Sequence, residues 1–133
     1  MIPRFLAAAR AGLPCTIYGD GMQTRDFIYV ADVVSHLSMA MARLVGRDIA
    51  EAEVFNVCTG FSTSILALAE TLGELAGWVP SVVFAPARAG DIRSSLGNPT
   101  AARAVLRVGA PTHLAEGLDA LLDSLRPEME VAV

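Results

Sequence analysis

The sequence predicts an α/β fold. Short β-type runs alternate with stretches of helical periodicity. Gly, Pro, Asn and Ser/Thr residues punctuate the junctions between them. Of the 133 residues, 53% are hydrophobic and 18% charged. That is enough apolar side chain for one ordinary core, and it excludes a disordered chain.

The elements follow in order. Pro3 suits the first turn of a helix and Gly12 its C-terminal stop, which predicts a helix over 4–11. Cys15-Thr16-Ile17-Tyr18 is a β-type run closed by the turn Gly19-Asp20-Gly21, where Asp20 reads as a turn residue. Arg25-Asp26-Phe27-Ile28-Tyr29-Val30 is β-prone, with Phe27 and Tyr29 on one side as core candidates. Asp32 has the place of a helix N-cap, and Val33, Leu37, Ala40, Met41 and Leu44 give the helix an apolar face ended by Gly46. Val54-Phe55-Asn56-Val57-Cys58 reads as a buried strand.

Ser62, Thr63 and Ser64 can cap the next helix, whose inward face is Ile65, Leu68, Ala69, Leu72 and Leu75. Trp78 follows Gly77 at its end and reads as a packing residue. A strand is predicted over 81–85, closed by Pro86. Asn98-Pro99 is an N-cap followed by a proline that needs no N–H, and Ala102, Val105 and Leu106 form that helix's packing side. Thr112 is expected to cap a last helix with Leu114, Leu118, Leu121, Leu122 and Leu125 inward and Glu116 in the first turn, where the dipole favours an anion. Arg126-Pro127 should stop it, leaving a domain over 1–126 and a frayed tail over 127–133. The strands are too few and short to close a doubly wound sheet, so the chain reads as part of a sheet protein.

Composition excludes several functions. Fourteen acids against 10 bases give a net charge of −4, which does not favour nucleic acid. No apolar run approaches the ~18 residues of a membrane span. Arg4 and the apolar residues after it faintly imitate a signal peptide, but Arg10 interrupts them, so the expected compartment is the cytoplasm. All the basic residues are arginines. A mechanism needing a lysine of this chain, such as a Tyr-x-x-x-Lys pair, is therefore excluded. Cys15 and Cys58 have no metal-ligand spacing, and His36 and His113 have no ligand partners, so no metal is expected.

One segment is richer. Gly19-x-Gly21 alone is weak, because a dinucleotide fingerprint needs another glycine where Thr24 stands. The whole string from Ile17 to Val34, Ile-Tyr-Gly-Asp-Gly-Met-Gln-Thr-Arg-Asp-Phe-Ile-Tyr-Val-Ala-Asp-Val-Val, is another matter. It closely resembles a signature of the extended short-chain dehydrogenase/reductase family, in its nucleotide-sugar epimerase and dehydratase branch. UDP-glucose 4-epimerases are familiar members. Val54-Phe55-Asn56-Val57-Cys58-Thr59-Gly60, Arg88-Ala89-Gly90-Asp91-Ile92-Arg93 and Asn98-Pro99-Thr100-Ala101-Ala102-Arg103 resemble later family segments in the same order.

The resemblance implies the C-terminal, substrate-binding part of a Rossmann-like enzyme, with the NAD(P)-binding half and its catalytic tyrosine and lysine absent from this chain. It implies a nucleotide-diphosphate-sugar ligand, with no catalytic residue and no cofactor held by this chain alone. By the same resemblance, Arg25 and Arg88 hold the diphosphate, and guanidinium suits that task by its bidentate geometry. Asp91 contacts ribose or braces an arginine. Thr16, Ile17 and Tyr18 lie along the nucleobase, and Ile2 lines the same pocket. The partner would be an N-terminal cofactor-binding half or a second copy.

Plainer readings stand beside these. Arg25 next to Asp26 could be a solvated pair worth ~0–1 kcal/mol. Arg88 could be a loop cation, Asp91 a cap, and Asp32 a cap first. The alternative to an enzyme portion is a non-catalytic module that self-associates or completes a partner.

Overall fold

The computed structural model describes residues 1–45 and 52–130. The elements run α1 (Ile2–Arg10), β1 (Cys15–Tyr18), β2 (Thr24–Arg25), α2 (Val30–Leu44), β3 (Thr63–Ser64), α3 (Ile65–Ala76), β4 (Val82–Ala85), α4 (Thr100–Leu106) and α5 (Leu114–Glu130). The class is α/β, as the alternation predicts.

Two small sheets carry the strands. β1 pairs with β4 in parallel, Cys15 opposite Val82 and Tyr18 opposite Ala85. β2 pairs with β3 antiparallel, Thr24 opposite Ser64 and Arg25 opposite Thr63. A parallel bridge from Thr24 to Ser94 brings the later loop alongside β2. These pairings bring the segments after Tyr18, at Arg25 and around 88–94 to one end of the molecule.

The core centres on α3. Its Ile65, Leu68, Ala69 and Leu72 are buried against Phe5 of α1, Cys15 and Ile17 of β1, and Leu118 and Leu122 of α5. Fully burying each Leu, Ile or Phe side chain among them contributes about 1.5–3 kcal/mol. Ser64 caps α3, its hydroxyl accepting from the Ala67 N–H at 3.1 Å. The Ile65 and Leu66 N–H groups donate to the Gln23 and Gly21 carbonyls, which ties the helix to the loop after β1. Trp78 packs against the core, as expected, and Phe27 does the same.

Helix ends follow local chemistry. Gly12 takes φ 63° just past α1, and its N–H and that of Leu13 donate to the last carbonyls of the helix. The Asn98 side chain accepts from the Thr100 N–H at 3.0 Å, so it caps α4 although the helix is counted from Thr100.

Several expectations are corrected. The strand predicted from Arg25 to Val30 is a two-residue strand, and α2 already begins at Val30. Asp32 does not cap α2, since no side chain does. Its carboxylate instead accepts from the Thr112 N–H at 2.8 Å and hydroxyl at 3.0 Å. Thr112 is thereby engaged and does not cap α5; the His113 N–H there donates to Glu116 at 3.3 Å. The apolar face of α2 is not core: Leu37, Met41 and Leu44 are exposed, and His36 is the helix's buried residue. The predicted strand over 54–58 forms no ladder, and Val54 is 91% exposed. A strand needs a neighbour to bond, and none of the described residues supplies one. The helix stop at Pro127 is absent, because α5 runs on to Glu130. A proline removes its own N–H from the ladder and leaves the later ones intact. Gly46, expected to end α2, lies outside the described residues. Among the described residues no helix is long and apolar enough to cross a membrane.

Candidate functional site

A cavity of about 570 Å³ opens where β1, α1 and the 88–91 loop meet. Its lining includes Thr16, Ile17, Tyr18, Arg25, Arg88 and Asp91, six of the seven residues singled out from sequence. Ile17 is buried at 2% exposure, so its side chain belongs to the core behind the wall. Ile2 is the exception. It lines a separate, apolar cavity of about 230 Å³ with Phe27, Tyr29 and Leu118. At the start of α1 the residues facing the first cavity are Met1, just before the helix, and Arg4 and Phe5 on it. Residues three and four apart share a helix face, and Ile2, about 100° round the axis from Met1, points elsewhere.

Arg25 is held before any ligand arrives. Its Nη1 donates to the Thr24 carbonyl at 2.8 Å and the Ile92 carbonyl at 2.7 Å. Its Nη2 donates to Asp91 Oδ1 at 2.8 Å. A guanidinium has five N–H donors, so the Nε–H and the second Nη2–H remain as a fork. A partly exposed pair such as Arg25–Asp91 adds little stability, but it fixes the orientation of the planar group.

Arg88 and Asp91 stand at the two ends of one turn. The Asp91 N–H donates to the Arg88 carbonyl at 3.2 Å, and Gly90 takes φ 80° in the third position, where a side chain would be strained. The turn points Asp91 at Arg25 and lays the Arg88 guanidinium 3.7 Å over the Tyr18 ring. Arg88, as hydrogen-bonding and charged neighbour, holds the Tyr18 phenol below its ordinary value, and Arg4 adds a smaller electrostatic pull in the same direction. The Gln23 amide Nε2 donates to the Tyr18 carbonyl at 2.7 Å and so steadies the strand end that carries the ring.

The support comes from Asp26, on the opposite side of the extended segment from Arg25. Its carboxylate accepts from the Thr59 N–H at 2.9 Å, the Thr59 hydroxyl at 2.6 Å and the Gly60 N–H at 2.9 Å, with Gly97 N–H more distant at 3.4 Å. Burial would push its carboxyl up, but these bonds together win and hold it below the usual range. Asp26 is therefore not a surface partner of Arg25. Asp20 does act in its turn, accepting from the Met22 N–H at 2.9 Å. It also pairs with Arg93 at 2.7 Å, which brings its carboxyl down to about 2.

Sequence reasoning missed Arg4, Gln23 and Asp26 as members or supports of the site. The i, i+3, i+4 spacing of Met1, Arg4 and Phe5 was the available signal for Arg4. Nothing local marks Asp26, because its partners lie 33 to 71 residues away.

The Gly19–Gly21 turn does not fit a dinucleotide. A side chain at Gly21 would meet Leu66 Cβ at 3.3 Å and Ile17 Cγ2 at 3.5 Å, so this glycine faces the core and not a phosphate. A two-residue strand follows the turn, where a phosphate cradle needs a helix N-terminus. No cluster of metal-ligating side chains occurs among the described residues.

The profile of the NAD dependent epimerase/dehydratase family matches residues 1–58. The chain is 35% identical over 122 residues to UDP-glucose 4-epimerase of Mycolicibacterium smegmatis, a match covering 92% of this chain and 37% of that protein. It superposes with a TM-score of 0.82 on the crystal structure of UDP-glucose 4-epimerase from Thermotoga maritima with UDP-glucose, at 33% identity over 94% of this chain and 38% of that one. MoeE5 in complex with UDP-glucose and NAD gives a TM-score of 0.84 at 36% identity, over 96% and 42% of the two chains. The chain thus spans about two-fifths of the length of these relatives.

Proposed function

We propose that this chain, which matches the NAD dependent epimerase/dehydratase model over residues 1–58 and is 35% identical to a UDP-glucose 4-epimerase, is the C-terminal portion of such a protein and grips the nucleotide diphosphate of a sugar substrate. One observation carries this reading: Arg25 and Arg88 converge with Tyr18 on a single cavity of about 570 Å³. Arg25 offers a fixed fork to one phosphate, and Arg88 supplies a second cation. Charge-assisted contacts from guanidinium suit phosphate oxygens. The Tyr18 ring and the β1 backbone are the surface for the base, and residues 1–126 are assigned as the substrate-binding part, with 127–133 as a tail. In a complete enzyme such binding orients the sugar for chemistry performed elsewhere. The chain has no lysine and its glycine turn does not fit a dinucleotide, so we assign it neither NAD binding nor turnover of its own.

Titration calorimetry with UDP-glucose tests the reading. Replacing Arg25 with Ala removes a charged contact worth about 1.5–3 kcal/mol, and the affinity falls accordingly. Unchanged affinity in Arg25→Ala sinks the site assignment. Conversion of UDP-glucose by the isolated chain with NAD supplied contradicts the assignment of no turnover.

A second reading, a non-catalytic module completed by a partner or another copy, is favoured by α2. Val30, Val34, Leu37, Met41 and Leu44 recur every three or four residues and are 55–68% exposed. Such a stripe is the pattern of a face made for burial. Sedimentation of the chain with Val34→Glu and Met41→Glu tests it: association that persists unchanged excludes this face.

A further inference from the structure

Arg4 lines the same cavity, and beyond its weak electrostatic pull on Tyr18 its guanidinium has no bonded partner among the described residues. It faces inward from the first turns of α1 with Met1 and Phe5. Its backbone N–H donates to the Met1 carbonyl, but among the described residues its side chain makes no hydrogen bond and no ion pair. The charged lining of the cavity is Arg4, Arg25, Arg88 and Asp91. Asp91 is bonded to Arg25 at 2.8 Å, so that pair is matched. Arg88 rests on the Tyr18 ring and has no anionic partner among the described residues. Two unmatched cations are therefore left around Tyr18. Like charges sharing a concavity repel, and an anion placed between them relieves both. A diphosphate brings two phosphoryl groups to these two cations, whereas a monophosphate brings one.

We propose that Arg4 contacts the ligand in this cavity and that, together with Arg88, it makes the site select a nucleoside diphosphate over the corresponding monophosphate. This rests on the reading of the cavity as a nucleotide site. It adds a third arginine to the grip, with a role distinct from that of Arg25: Arg25 is fixed and charge-matched, while Arg4 is free to close on the ligand.

The test is calorimetric titration of the full chain with UDP and with UMP. In Arg4→Gln, UDP affinity falls about 5- to 20-fold, at and below the low end of the roughly 13- to 160-fold that a charge-assisted contact carries, because Arg4 is exposed. UMP affinity changes less than about twofold, so the UDP/UMP preference shrinks. Arg4→Lys keeps the charge and the stem and retains most of the preference. Arg10→Gln, at the far end of α1 and outside this cavity, removes the same charge and leaves both affinities unchanged. Equal losses for UDP and UMP, or the same loss in Arg10→Gln, overturn the proposal, as does an unaltered UDP affinity in Arg4→Gln. If UDP binding is lost in Arg25→Ala but intact in Arg4→Gln, the nucleotide site stands and the role of Arg4 falls. If the unaltered chain does not bind UDP, both fall together.

Discussion

Replacing Asp26 with Ala should be among the most damaging single changes outside the apolar core. The carboxylate accepts two backbone N–H bonds at 2.9 Å and a hydroxyl bond at 2.6 Å, from Thr59 and Gly60. Thr59 is 4% exposed, so water does not readily replace the lost acceptor. Each hydrogen bond to a charged group contributes about 1.5–3 kcal/mol net. Three such bonds sharing one half-buried acceptor are not additive, and a total of about 3–5 kcal/mol is expected. For a chain of this length that corresponds to a fall in Tm of about 10–20 °C. Asp26→Asn keeps one acceptor but turns an N–H₂ towards the donors, and its cost should lie between. Urea unfolding of the three proteins followed by circular dichroism measures this. A loss below about 1 kcal/mol in Asp26→Ala would refute the view that this carboxylate ties the segments at 26, 59–60 and 97 together. Arg25 is the next residue on the same extended segment. UDP affinity should therefore also fall in Asp26→Ala under conditions where the variant remains folded.

Further outcomes are expected. Asp26 and Asp20 both titrate below their ordinary value in the folded chain. Their contributions are complete above the unfolded carboxylate range near pH 4 and are lost as pH falls through the folded values. Thermal melts from pH 6 to pH 2 should show this loss, with a shallower fall in Asp26→Ala; an identical pH profile would exclude Asp26 as a source. Gly73→Ala would place a Cβ 2.7 Å from both Pro80 Cδ and the Trp78 carbonyl oxygen. Backbone cannot easily yield there, so the change should cost about 1–3 kcal/mol or more. Gly77→Ala meets open space at φ 71° and should cost about 1–2 kcal/mol from the left-handed backbone alone. Urea melts of the two variants separate crowding from backbone strain.

Much of the fold was legible because its signals are local. Ser64 before an apolar repeat, Gly12 after one and Asn98 beside a proline each act within a few residues, and each does its predicted job. The same locality explains the failures. Phe27 to Val30 and the 54–58 run have strand-forming side chains, but a ladder depends on a neighbour that no short window contains. Asp32 and Thr112 each looked like a cap and turned out to bind each other across 80 residues. The stripe on α2 has the period of a buried face and lies exposed. Periodicity reports that a face is suited to burial, not which molecule buries it. At the site, six of the residues the resemblance points to line one cavity, while Ile2, whose direction depends on the rotation of α1 about its axis, lines another.

The stack of Arg88 on Tyr18 has a consequence for how the cavity fills. An aromatic visitor approaching that side of the tyrosine meets a resident cation, and the two compete for the same π face. Arrival on that face would then be an exchange: the guanidinium, 3.7 Å from the ring centroid, would leave the ring as the newcomer settled and be set free for a negative group on the visitor's other end. An uncharged nucleoside, with nothing to offer the displaced arginine, would have to evict it without compensation.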